Sequence, residues 1–212
     1  MAYNIIRHRS NFPNRQVYTV NLQNERHFHV TVTSNAASVT RWLGQTLFLL
    51  PRPLHDPTLV VGLGVQWTHG TPSADIIQLC IGCRCLIFQL SLADRVPNRL
   101  RRFLYHPLHT FVGFWNHTDR WKLERSVHRL HLLREPVDLR HPAGDLWDEN
   151  LRYASMRDIV WSVLGYDVTQ RQGIGMSDWS AEHLDMDQIA SAAIKAFCAR
   201  LIGVRVRDSA MQ

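Results

Sequence analysis

Residues 58–67 read Thr-Leu-Val-Val-Gly-Leu-Gly-Val-Gln-Trp, a nearly continuous apolar run rich in β-branched side chains. Such a run suits a central strand covered on both faces, the arrangement of a sheet with helices packed on each side. Ala74 to Leu79 and Cys85 to Leu90 share this character and read as its neighbours. With 212 residues, 45% hydrophobic and 20% charged, the chain has the size and balance of one α/β domain with a full core. Its longest apolar stretches, such as Leu47 to Leu50 and Val60 to Leu63, are far too short to span a bilayer, so no membrane partner is expected.

The rest of the chain is placed around that strand. Val17 to Gln23 and His27 to Thr33 alternate apolar and polar residues around Asn24-Glu25-Arg26, the period-2 pattern of a half-exposed hairpin. Ser34 to Leu50 carries Val39, Trp42, Leu43, Leu47 and Leu50 near helical spacing, with Ser34 or Asn35 as N-cap and Pro51 ending the run. A basic helix around Pro97 to Tyr105, a short strand Thr110 to Phe114, a helix from Thr118 to Leu130 and a short strand over Pro136 to Arg140 follow. Pro142 to Tyr153 is polar and reads as a loop, Met156 to Leu164 as a helix stopped by Gly165, and a second loop reaches Trp179. Asp187 to Leu201 forms the last helix, with Ile189, Ala193, Phe197 and Leu201 on one face. The expected organisation is a flexible basic N-terminus over 1–16, one domain over 17–206 and a tail over 207–212.

The formal net charge of +6 fits a polyanion partner, although the basic residues are dispersed. Arg7, Arg9 and Arg15 precede the first acidic residue, Glu25, which faintly resembles an organellar transit peptide; an ordinary basic N-terminus on a nuclear or cytoplasmic protein is the other reading. Cys80, Cys83 and Cys85 invite a zinc reading, because thiolates at such spacing can share a tetrahedral ion. They sit inside two apolar runs broken by Gly82, where a tight hairpin would send side chains to opposite faces, so no metal is expected there. Neither His27/His29 nor His128/His131 has an adjacent nucleophile or a zinc-protease glutamate.

Val61-Gly-Leu-Gly-Val-Gln-Trp67 resembles the first motif of the Werner-like 3'-5' exonucleases, which in plant members reads Val-Gly-Leu-Asp-Val-Glu-Trp. Phe111-Val-Gly-Phe-Trp-Asn-His-Thr-Asp119 is similar to the second motif, and Ser191 to Lys195 to the third, a Tyr followed four residues later by Asp. Ile77 to Leu90 looks like the hairpin between the first two. The resemblance covers residues 17–206 and implies an α/β fold of the RNase H-like, DnaQ-type exonuclease kind, a mixed sheet flanked by helices. It also implies Mg²⁺ or Mn²⁺ as cofactor of an active member, with two ions held by carboxylates for in-line displacement at phosphorus.

At the implied ligand positions this chain has Gly64, Gln66, Asp119 and Lys195, with Ser191 at the tyrosine position. Asp119 is the surviving carboxylate, and the formal charge over the four ligand positions is zero. The expectation is therefore a pseudo-nuclease with no bound metal. In it Trp67, Trp115, Asn116 and Lys195 accept single-stranded nucleic acid, or the domain serves as an interaction subunit, pairing with an active paralogue in an oligomer through Trp42, Trp121, Trp147 or Trp161. Two alternatives stay open: a weak metal-dependent 3'-5' exonuclease or exoribonuclease, and a misaligned motif set in which Asp75, Asp138 or Asp145 does the work.

Overall fold

The computed structural model describes residues 3–12, 14–23, 26–50 and 58–211. The apolar run singled out above is strand β4 (Leu59–Gln66), with its six internal residues buried. Before it stand β1 (Tyr3–His8), β2 (Gln16–Leu22) and β3 (Arg26–Thr33); after it come β5 (Ile76–Ile81), β6 (Arg84–Gln89), β7 (His109–Gly113) and β8 (Val137–Asp138). They form one sheet in the order β1-β2-β3-β6-β5-β4-β7-β8. β5 runs antiparallel to both β4 and β6, while β3 pairs parallel with β6 and β7 parallel with β4 and β8, so the sheet is mixed.

The helices divide between its two faces. α1 (Ala36–Leu49), α2 (Asn98–Leu104) and α3 (Asp119–Glu124) cover one, burying Trp42, Leu43, Leu100, Phe103 and Leu123 against Leu63, Leu79 and Phe88. α4 (Arg140–Leu146), α5 (Met156–Leu164) and α6 (Met186–Ser209) cover the other. There Phe197 of α6 stacks on Phe28 of β3 with ring centroids 4.1 Å apart. Alternation along β5 feeds both cores, Ile76 to one and Ile77 to the other, which is why the strand reads as unbroken apolar sequence. Among the described residues no helix is long and apolar enough to cross a membrane.

α6 begins in a capping box. The Asp185 carboxylate accepts from the Gln188 backbone N–H, and the Gln188 side chain accepts from that of Asp185. It then lies unusually close to the sheet. A Cβ on Gly62 would stand 1.8 Å from the Ala196 carbonyl oxygen, and one on Gly203 would stand 2.8 Å from Val112 and 2.9 Å from Val60.

The structure departs from the sequence expectations in four places. Residues 3–8, expected within a flexible lead, form β1 on β2, with Ile5 opposite Val20. The polar stretch 142–153 is not a loop but α4 followed by a 3₁₀ turn at Glu149–Arg152, held by Asp148 accepting from the Asn150 N–H. The helix expected over 118–130 stops at Glu124, where the Ser126 hydroxyl donates to the Leu123 carbonyl and Arg129 enters the left-handed region at φ 48°. α6 extends to Ser209, so part of the expected tail is helical. The Asn35 side chain caps α1; Pro51, the expected stop, lies outside the described residues.

The cysteines follow the hairpin expectation in part. Gly82 turns β5 into β6 at φ 59° and Cys83 is exposed in the turn, but Cys80 and Cys85 face each other across the ladder on one buried face, beneath Cys198 of α6. A cross-strand pair shares a face, and the alternation argument separates only neighbours along one strand. Burial pushes the Cys85 and Cys198 thiols well up, as suits inert core cysteines.

Because the helix backbone itself stands against Gly62, Gly62→Ala should destabilise the protein by about 3 kcal/mol or more, beyond ordinary overpacking. Gly175→Ala, where an added Cβ meets nothing, should shift the urea midpoint little. Paired urea titrations of the two variants check this.

Candidate active-site cleft

The C-terminal end of β4, the start of α3 and the middle of α6 meet at one end of the sheet. Thr68, just past β4, ties the strand exit to the loops before β5 and α6: its N–H donates to Asp75 at 2.7 Å, its hydroxyl donates to Asp178 at 3.1 Å, and the hydroxyl oxygen accepts from the Trp179 N–H at 3.0 Å. The Gln188 amide donates to the Asp178 carbonyl at 2.8 Å, so the loop entering α6 is anchored to the strand exit. Nothing in local sequence pattern marks this knot, because its partners lie over a hundred residues apart.

At Gly64 a Cβ would stand 2.1 Å from the Gln78 side-chain oxygen and 3.8 Å from Cδ of Lys195. The Gln78 amide, directly across the ladder and fully buried, thus fills the space that a residue-64 side chain would take. Neither polar atom of that amide has a hydrogen-bond partner among the described residues, a costly state for a buried polar group. Lys195 reaches the same place from α6 and forms no ion pair with a described residue.

Asp119 opens α3 and is 1% exposed, with one carboxylate oxygen unpartnered. Burial pushes its pKa up to about 7, against the opposing pull of the Lys195 ammonium and with a smaller push from Asp138. Gln66 is half-buried at the end of β4, and the Ser191 hydroxyl donates to the Gln170 side-chain oxygen at 2.8 Å. Gly64, Lys195 and Asp119 are thus brought into one electrostatic neighbourhood, while Ser191 is engaged with the preceding loop.

The expected nucleic-acid contacts are dispersed in role. Trp67 carries the Lys122 ammonium over its ring at 4.6 Å. Trp115, 45% exposed, lies under the Arg140 guanidinium at 3.4 Å. Asn116 is buried and donates to the Val137 carbonyl at 3.1 Å, fastening β8, a use its surface-like sequence context did not signal. The alternative carboxylates have structural partners: Asp75 holds Thr68, Asp145 pairs with Arg152, and Asp138 pairs with Arg140 at 2.7 Å. Burial raises the Asp138 pKa, but hydrogen bonds from the Arg140 side chain and backbone outweigh this and leave it below the usual value. Gln78, Lys122 and Arg140 are the cleft residues that sequence reasoning passed over.

The donor set does not suit a divalent ion. A hard cation seeks anionic oxygen, and this cleft offers a glycine, a neutral amide, one carboxyl poised near neutrality and a lysine ammonium.

The mixed sheet with helices on both faces gives the chain the RNase H-like α/β fold of solved exonuclease structures. Comparison with known proteins finds the chain 26% identical over 179 residues to a 3'-5' exonuclease of Drosophila grimshawi, covering 81% of this chain and 52% of that one. It is 30% identical over 152 residues to the mouse bifunctional 3'-5' exonuclease/ATP-dependent helicase WRN, covering 68% of this chain and 10% of that one. The chain therefore spans about half the length of the fly protein and a tenth of the mouse one. No family model matches. Among solved structures, Escherichia coli RNase D superposes with TM-score 0.65 at 13% identity, covering 83% of this chain and 44% of that one. The Aedes aegypti Nibbler EXO domain gives 0.61 at 14%, covering 84% and 86%. Brucella melitensis NrnC bound to pGG gives 0.56 at 16%, covering 75% and 76%.

The raised Asp119 pKa has a signed consequence. Between the ordinary value of 3.8 and about 7 the unfolded chain ionises this group while the folded chain keeps it protonated, so stability falls as pH rises through that window and stays reduced above it. Asp119→Asn should remove this fall, melting near wild type at pH 4 and several degrees higher at pH 8. Thermal melts across that range read the difference.

Proposed function

We propose that the protein is a catalytically inactive 3'-5' exonuclease-like module that keeps the cleft for holding single-stranded nucleic acid. The observation that carries this reading is the filling of residue 64's side-chain space by the Gln78 amide, with Lys195 beside it. Where two-metal chemistry needs a bridging carboxylate, there is a neutral amide and a fixed positive charge. A phosphate is the natural counterpart of Lys195, and the exposed Trp115 offers a face on which a base can stack. The bound pGG of the NrnC neighbour is consistent with a nucleic-acid cleft in this fold. The plant-type subclass is supported by the Val61 to Trp67 motif alone.

A second reading, an interaction subunit that pairs with an active paralogue, is favoured by three of the candidate anchors. Trp121, Trp147 and Trp161 are 45%, 39% and 60% exposed, whereas Trp42 is a core residue at 3%. Co-purification with a paralogue that is lost in Trp161→Ser would support it, and a monodisperse monomer with no paralogue captured would sink it.

End-labelled DNA and RNA oligonucleotides incubated with Mg²⁺ or Mn²⁺ should remain intact beside an active homologue, while binding with a salt dependence that Lys195→Asp weakens. Stepwise metal-dependent shortening from the 3' end would replace this reading with that of a weak nuclease.

Restoring the site requires more than its four degenerate positions, because the Gln78 amide occupies the space. Gly64→Asp, Gln66→Glu, Ser191→Tyr and Lys195→Asp combined with Gln78→Ala should bind Mn²⁺ measurably by calorimetry, and better than the same set with Gln78 kept. A folded five-fold variant that binds no Mn²⁺ would refute the placement of the motifs.

A further inference from the structure

Away from the cleft, arginines gather around α1. Arg15, Arg41 and Arg84 line an open hollow of about 580 Å³ between the β2–β3–β6 face and α1, with Gln45 and His29. A second hollow of about 730 Å³ lies between α1 and the start of α2, lined by Arg41 and Gln45 again together with Arg95 and Arg99. The shared residues make the two hollows one groove across α1.

The groove carries uncompensated charge. Among the described residues no carboxylate lines either hollow, and none of the five arginines is ion-paired. Elsewhere Arg120, Arg140, Arg152, Arg157 and Arg171 each stand against a carboxylate, while Arg101, Arg102 and Arg125 share with the groove arginines the lack of an ion pair among the described residues. Like charges collected on neighbouring elements repel one another, and an anion in the groove removes that repulsion. Partial burial, and then the adjacent Arg84, hold the His29 pKa below its usual value, so the positive field acts on a group that lines the groove.

The arginines are also positioned. Arg84 Nε donates to the Thr46 hydroxyl at 3.0 Å. The Arg99 guanidinium lies over Gly44, where a Cβ would come within 3.0 Å of Nη1, so a glycine at this point of α1 leaves room for it. Phe12, 40% exposed, carries the guanidinium carbons of Arg41 and Arg15 at 4.2 and 4.7 Å from its ring centre. Arginines interleaved with an exposed aromatic along a groove suit a chain of phosphodiesters whose bases can stack, rather than one isolated phosphate. The groove reaches the starts of α1 and α2, which follow the C-terminal ends of β3 and β6, and by the strand directions these lie at the same sheet end as Gln66.

We propose that this groove is a second track for the backbone of single-stranded nucleic acid, separate from the cleft and independent of whether the cleft itself binds. The test is fluorescence anisotropy of the full chain with labelled dT20 and rU20 in chelator across a salt series. The triple variant Arg41→Gln, Arg95→Gln, Arg99→Gln should bind about tenfold or more weakly, with a log–log salt slope smaller by about 2, since each single-strand phosphate contact contributes about 0.7. The corresponding Lys triple variant should keep the slope, and the Gln triple variant should lose the same fold of affinity in a Lys195→Gln background as in the wild-type one. Circular dichroism confirms that each variant is folded. A folded Gln triple variant that binds like wild type overturns the proposal, and if Lys195→Gln alone abolishes binding, the cleft and not the groove is the track. Competition by poly-glutamate as strong as by oligonucleotide reassigns the groove to an acidic protein and equally overturns it.

Discussion

The contact on which the architecture turns is the seating of α6 on β4. At Gly62 the strand has no Cβ, and the carbonyl of Ala196 occupies the space one would need. Gly203 repeats the device a few turns on, against Val60 and Val112. Such close approach brings a helix carrying almost no amphipathic contrast, rich in alanine and buried along most of its length, into the middle of the sheet. The cleft exists because α6 lies there: Lys195, one residue before Ala196, is delivered to Gly64 by the same contact. The capping box at Asp185 and the Thr68–Asp178 knot set where the helix begins.

A buried carboxyl raised to about 7 and a nearby lysine share a pocket with an amide whose hydrogen-bonding capacity is unused. Each is an energetic liability in a site that binds nothing, since buried polar atoms without partners cost stability. In the proposed function a ligand's phosphate and bases would meet these groups beside the exposed or cation-stacked tryptophans, and the proposed track over α1 would lie on the other face of the sheet.

The central strands, the β2–β3 hairpin, the first and last helices and the Gly165 stop were legible because their signals are local: unbroken β-branched runs, alternation, an asparagine cap, an αL glycine. Strand β1 was missed because its alternation is weak and its stability comes from pairing with β2. The stretch 142–153 was missed because polar residues form helical turns there only after Arg152 and Arg140 find Asp145 and Asp138. In the cleft, Gly64, Asp119 and Lys195 were singled out by motif and the fold brings them near one another, whereas Gln78 was not, since it matters only through the missing side chain opposite it at Gly64.

Composition and periodicity by themselves determined that this chain builds a two-sided α/β core around residues 58–67. Only the tertiary structure decided what fills the space beside Gly64. A side chain's occupancy of a neighbour's missing volume, a carboxyl's burial and the convergence of arginines from β3's flanks, α1 and α2 all depend on distances between segments far apart in the chain. Local pattern encodes which face a residue turns; it does not encode what packing brings to meet it.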